Sequence, residues 1–198
     1  MVKSAHIINH EGYMDDKTRW NNKHQHVPMP MNPSAIVIEY VKETMNARAL
    51  DIACGVGRNT HYVAKLGYEI DAVDISDYAL SQIEDSKMIH TIETDLTKYV
   101  IAPNNYDLIL NINYLERKLF PSIIAGLKYG GILIFQTFIT ANGVGYHNPS
   151  NPDFLLQSNE LPSKFSDLTT LFYEERDEQN MYGEKVKIAS FVGKKNFQ

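Results

Sequence analysis

Ala49-Leu-Asp51-Ile-Ala-Cys54-Gly55-Val-Gly57-Arg58-Asn59-Thr60 is the stretch that decides the fold. Residues 49–53 form an apolar run of strand character, and residues 58–66 have the periodicity of a helix stopped by Gly67. Between them, Gly55 and Gly57 allow a tight turn and let a ligand come close to the main chain. The helix start adds free N–H groups. Strand, glycine turn and helix in this order predict a nucleotide-type site, whose ligand must be read from the residues around it.

A dinucleotide loop of the form G-x-G-x-x-G/A would need Gly or Ala where Thr60 stands. Asp51, four residues before Gly55, would also repel a pyrophosphate laid on the turn. The same carboxylate suits a ligand that carries an ammonium and a sulfonium; its plainer role is to brace N–H groups of the loop. Asp74 closes the next apolar strand, residues 68–75, where it can accept both hydroxyls of a ribose through charge-assisted bonds. Asp71 on that strand is expected to face solvent or brace a loop. Asp95, in Thr94-Asp95-Leu96, can accept an adenine amino group or cap the turn that follows.

Outward from this centre, strands and helices alternate. Further strands are predicted at 88–96, 106–113 and 132–139, and helices after the capping Ser76 and over 116–128 around Pro121, ended by Gly130-Gly131. Such alternation implies right-handed crossovers and a parallel sheet covered on both faces. Residues 168–178 and 185–193 read as two strands joined near Tyr182-Gly183, an antiparallel pair at one sheet edge. The loop at 140–152 is long enough to suspect a functional role, and a short helix is expected around 158–165. Residues 1–31 are polar and end in Pro28-Met29-Pro30-Met31; they read as a non-helical arm or lid packed on a domain of residues 32–198. That domain would open with a helix capped by Asn32, with Pro33 first and an apolar stripe of Ile36, Val37, Tyr40 and Val41.

A net charge of −5 and a pI near 5.8 argue against a nucleic-acid partner, which needs a basic surface that Lys194-Lys195 alone does not supply. Residues 1–10 lack the apolar centre of a signal peptide, and no run reaches the roughly 20 apolar residues of a membrane span. A single cysteine fits a reducing compartment. The expected location is therefore cytoplasmic, with no membrane partner. Cys54 has no neighbouring base to activate it and reads as a small residue in a tight loop. His24-Gln25-His26 is too sparse a donor set for a metal site, and no metal is expected. Trp20 either covers the ligand or simply packs.

As a set, these elements resemble the class I S-adenosylmethionine (SAM)-dependent methyltransferases. Residues 51–57 resemble their glycine loop, Asp74 their ribose acid and Asp95 their adenine-side acid. Tyr106-Asp-Leu-Ile-Leu-Asn111 is similar to their fourth strand, and Leu127-Lys-Tyr-Gly130-Gly131 to their turn into the fifth. The resemblance implies a Rossmann-like doubly wound sheet of order 3-2-1-4-5-7-6, mostly parallel with an antiparallel C-terminal edge strand. A narrower resemblance links the chain to small bacterial methyltransferases related to the tellurite-resistance group. It rests on Trp20-Asn-Asn-Lys-His24, Cys54-Gly-Val-Gly-Arg58-Asn59, Asn113-Tyr114-Leu-Glu-Arg117 and Asn151-Pro152-Asp-Phe154. The N/D-P-P-Y/F signature of amino-methylating members is replaced by Asn111-Ile-Asn113-Tyr114.

What the resemblance implies is methyl transfer from SAM, giving S-adenosylhomocysteine, to a small acceptor such as a thiol, selenol or oxyanion. The cofactor is expected against Asp51, Ala53, Cys54, Gly55, Gly57, Arg58, Asp74, Ile75, Asp95, Leu96, Asn111 and Trp20. The catalytic residue is open among Tyr114, Arg117 and His147, with Arg117 either holding an anionic acceptor or forming a surface salt bridge. Two rivals are a SAM-binding protein without activity and an NAD-dependent oxidoreductase.

Overall fold

The structure, a computed structural model, describes residues 15–42, 47–141 and 143–197. Its centre is a seven-stranded sheet in the order β3-β2-β1-β4-β5-β7-β6, the order predicted from the resemblance. The strands are β1 (Ala47–Ile52), β2 (Tyr68–Asp74), β3 (Ile89–Glu93), β4 (Tyr106–Ile112), β5 (Leu127–Phe138), β6 (Leu168–Gln179) and β7 (Lys185–Lys195). β1 to β5 are mutually parallel. β7 runs antiparallel to both its neighbours, β5 and β6, which leaves β6 at the edge.

The period of two along each strand explains the two-sided core. Leu50 and Ile52 of β1 pack with Ile109, Leu133 and Phe135 on one face, under Phe120 and Ile123 of α5 (Phe120–Gly126). Ala49 packs with Ile70, Leu108 and Ile134 on the other, under α2 (Ala35–Tyr40) and α3 (Arg58–Lys65). α4 (Asp77–Ser81) starts on Ser76, whose hydroxyl accepts the Ala79 N–H at 3.0 Å. α6 (Glu160–Lys164) lies in the region where a short helix was expected.

Three local expectations are corrected. The arm contains an 11-residue helix, α1 (Asp16–His26), because Pro28 and Pro30 lie beyond its end and Asp15 caps its start by accepting the Thr18 N–H at 3.0 Å. The first part of the arm, residues 1–14, and Asn142 of the 140–152 loop lie outside the described residues. Ser34, not Asn32, precedes α2, and its hydroxyl makes no capping bond. Gly130-Gly131 do not end a long helix but lie inside β5, where the register against β4 shifts and Gly130 has φ +81°. Among the described residues, no helix is long and apolar enough to cross a membrane.

Candidate cofactor site

Register places the functional side chains together. Ile52 pairs with Val73 and Asn111, and Asp74 pairs with Glu93, so the C-terminal ends of β1 to β4 are level. Ligands bind at such ends where strand order reverses, which here is between β1 and β4.

The turn after β1 holds three left-handed residues, Ala53 (φ +53°), Gly55 (φ +55°) and Gly57 (φ +79°). For Ala53 that conformation costs roughly 1–2 kcal/mol, so the surrounding bonds must impose it. Asp74 supplies two of them: its carboxylate accepts the Gly55 N–H at 2.8 Å and the Ser76 N–H at 2.9 Å, fastening the turn to the tip of β2. Each carboxylate oxygen retains a lone pair for a ligand hydroxyl. Asp51 is buried beneath the turn and accepts from the Thr60 hydroxyl at 2.7 Å. Burial pushes its carboxyl up to about 7, against the opposing pull of Thr60 and Arg58. The Arg58 guanidinium makes no hydrogen bond or ion pair among the described residues, and partial burial lowers its pKa. Cys54 is buried, with its thiol pushed up by desolvation, which fits a packed, unreactive residue.

On the β3 side a cavity of about 420 Å³ is lined by Asp16, Ile75, Glu93, Thr94, Asp95 and Lys98. β3 ends two residues before Asp95, so that residue stands in the turn, accepting from the Thr97 hydroxyl at 2.7 Å and N–H at 2.9 Å and pairing with Lys98 at 3.2 Å. Those Thr97 bonds hold its carboxyl below the usual range. Leu96 is buried in the core. Asp71 turns out to be a buried brace, bonded to the Arg48 guanidinium at 2.9 Å and 3.1 Å and to the Tyr106 hydroxyl at 2.7 Å. Buried Asn111 donates to the Tyr114 carbonyl at 2.7 Å and so shapes the exit from β4. The Tyr114 phenol is raised by burial first, then by Glu116, Asp95, Asp16 and Asp74 around it.

Over these strand ends lies α1. Asn21 donates to Asp77 at 2.6 Å and accepts from the Ser76 hydroxyl at 2.6 Å and, more weakly, from the Tyr78 N–H at 3.3 Å. Lys17 pairs with Asp77 at 3.2 Å and Glu93 at 2.5 Å. Trp20 is half-buried with Lys23 4.6 Å from its ring centre and His24 beside it. The arm was expected as a lid, but Lys17, Asn21 and His24 were not named from the sequence as site residues; the Asp15 cap and its Thr18 partner were the available sign that a helix would present them.

The other two candidate catalytic residues are engaged within the protein. Arg117 grips Glu160 through two bonds, 2.6 Å and 3.0 Å, and donates to the carbonyls of Asp153 and Leu155, both at 2.8 Å. It is thereby the salt-bridge brace of the 153–160 turn. His147 lies 3.3 Å from Glu184 and its N–H donates to the Lys185 carbonyl, tying the 140–152 loop to the start of β7.

Comparison with known proteins is consistent with this geometry. The family described as tellurite resistance protein TehB matches residues 7–189. The chain is 27% identical over 176 residues to a probable S-adenosyl-L-methionine-dependent methyltransferase TehB of Haemophilus influenzae, covering 80% of this chain and 61% of that protein. It therefore spans about three fifths of that relative's length. A putative methyltransferase YqeM of Bacillus subtilis is 30% identical over 45% of this chain and 41% of its own. Among solved structures, TehB from H. influenzae superposes with a TM-score of 0.71 at 21% identity, covering 91% of this chain and 67% of that one. A Haemonchus contortus phosphoethanolamine N-methyltransferase bound to S-adenosylhomocysteine gives 0.65 at 15%, over 82% and 52% of the two chains.

Proposed function

The chain belongs to the TehB family, and from that premise we propose that it is a SAM-dependent methyltransferase acting on a small-molecule acceptor. The observation that carries the reading is the carboxyl of Asp51, buried under a left-handed glycine turn with a hydroxyl and, among the described residues, no cation bonded to it. A positively charged ligand on that turn supplies the missing compensation. A pyrophosphate would meet a charge of its own sign, which disfavours NAD.

In this reading Asp74 holds the ribose, Ile75 and Leu96 flank the adenine edge, and the turn from Ala53 to Arg58 receives the aminoacyl tail. Asp95 borders the adenine side while capping its own turn. When bound, the cofactor supplies a methyl group already activated by its sulfonium. The chain's own residues contribute position and exclusion of water. A thiol or selenol would have to arrive as its anion, its proton released to solvent, and would be held in line with that methyl group by the walls of the site. Tyr114, kept protonated by burial, is a hydrogen-bond donor to the acceptor and not a base.

A thiol or selenol acceptor fits better than an oxyanion. On the acceptor side of the site, Arg117 is paired with Glu160, Arg176 with Glu174 and Glu178, Lys185 with Asp177 and Lys187 with Glu175, whereas Arg58, with no ion-pair partner among the described residues, lies on the turn assigned to the aminoacyl tail. An oxyanion needs several free donors; a thiol or selenol that has lost its proton to solvent carries one charge on a soft atom and needs fewer. Methyl transfer measured across thiols, selenols, tellurite, selenite, and protein and nucleic-acid acceptors tests this. Turnover confined to thiols and selenols is expected. Turnover confined to oxyanions overturns the acceptor preference, and methylation of macromolecules alone overturns the small-molecule reading.

A further inference from the structure

His24 was not named as a site residue, yet its ring lies against the glycine turn. A Cβ built on Gly55 would stand 3.3 Å from His24 Cε1, so the imidazole covers the face of the turn that a side chain would otherwise occupy. Its Nδ1 is buried and has no hydrogen-bond partner among the described residues. Burying such a nitrogen unpaired is unfavourable, and the ring is not drawn there by bonds of its own. The placement comes instead from the rest of α1, through Asn21 on Ser76 and Asp77 and Lys17 on Asp77 and Glu93. The arm thus delivers an unsatisfied polar group to the same main chain that Asp74 holds in position through the Gly55 N–H.

We infer that His24 is a cofactor-contact residue whose Nδ1–H donates to the carboxylate of the aminoacyl tail. The inference rests on the cofactor reading above and adds the arm to the binding site. A neutral imidazole can carry its proton on either nitrogen, so Nδ1 can serve as a donor without the ring being charged. Burial favours that neutral form, with the pKa held below the ordinary histidine value against the opposing pull of Asp74. The acids Asp51 and Asp74 suit the ammonium and hydroxyl groups of the ligand, and the carboxylate is the part they repel; His24 is a donor against the same turn. A cavity of about 330 Å³ lined by His24, Val56, Met29, Tyr78 and Gln82 adjoins the turn on this side.

Two probes that differ only in the tail isolate the contact: S-adenosylhomocysteine, and 5′-methylthioadenosine, which lacks the amino acid. Calorimetry on the full chain is expected to show His24→Ala binding S-adenosylhomocysteine about 10- to 100-fold more weakly, the range for a hydrogen bond to a charged group. Affinity for methylthioadenosine should change less than threefold. His24→Asn, whose amide nitrogen falls near the Nδ1 position, should recover most of the loss. Unchanged affinity for S-adenosylhomocysteine in His24→Ala overturns the assignment, and equal losses for both probes reduce His24 to packing of the arm. A wild-type chain that binds neither probe overturns the cofactor reading itself, a result distinct from both.

Discussion

A carboxyl pushed up to about 7, as in Asp51, gives a pH dependence of definite sign. Its unfolded-state value is near 3.9. Between those values the native chain retains a proton that the unfolded chain has released, so this group's contribution to stability is fully present below about pH 4 and is lost as pH rises through 7. A cationic ligand reverses the preference by favouring the ionised form. SAM affinity should therefore rise between pH 5.5 and 7.5, with close to one proton released on binding at the lower end. Calorimetry in buffers of different ionisation enthalpy measures that release, and a pH-independent affinity would remove Asp51 from the site. Asp51→Asn keeps an acceptor for Thr60 and removes the buried charge. It should raise the unliganded stability at pH 8 by about 1 kcal/mol or more, since one pKa unit is worth about 1.4 kcal/mol, while weakening SAM binding. Thermal melts of mutant and wild type, with and without SAM, check both signs.

Gly57 shows the same turn from the packing side. A methyl group there would meet Ile83 Cγ1 at 2.8 Å, on a backbone with φ +79°. Gly57→Ala should destabilise the fold by about 1–3 kcal/mol through strain and overpacking. Denaturant melts of Gly57→Ala with and without Ile83→Ala separate these causes, because the second substitution relieves only the contact.

Among the elements, α1 depends on few attachments, having no buried residue of its own. Asn21 makes its most specific bonds, and Asn21→Ala should increase amide exchange along α1 at least tenfold while leaving β1 and β4 unchanged. Hydrogen exchange by mass spectrometry reads this segment by segment; equal protection would show that other contacts hold the helix. The same assay should show α1 better protected in saturating S-adenosylhomocysteine. How legible each element was follows from what holds it. β4 and β5 could be read from sequence because Leu108, Ile109, Leu110, Leu133 and Ile134 are apolar on both faces. α1 could not, since it carries no apolar stripe and is held by Asn21 and Lys17 bonding groups 55 or more residues away. The acids at the ends of β1 and β2 were visible from their spacing to the glycines. The partners of Asp71 and Arg117 were not, because Arg48, Tyr106 and Glu160 meet them only through the crossovers.

For the whole molecule, the proposed site spans the turn after β1, the ends of β2 to β4 and the arm, so ligand binding should report on all of them at once. S-adenosylhomocysteine at about 100 times its Kd should add roughly 2.7 kcal/mol to stability. A thermal shift that NAD does not reproduce is the expected outcome. No shift at millimolar S-adenosylhomocysteine, with a folded chain, counts against the methyltransferase reading.

The position of β7 between β5 and β6 has a consequence for how the chain is made. β6 leaves the ribosome before β7, its neighbour in the sheet, exists, and the edge of β5 that β7 will cover stays open for the same interval. At about 5–20 residues per second, the time from the end of β5 to the end of β7 is roughly 3–11 s. During it Leu133, Phe135 and the apolar strand edge beside them are available to other nascent chains, a window in which a holdase chaperone would find a ready client.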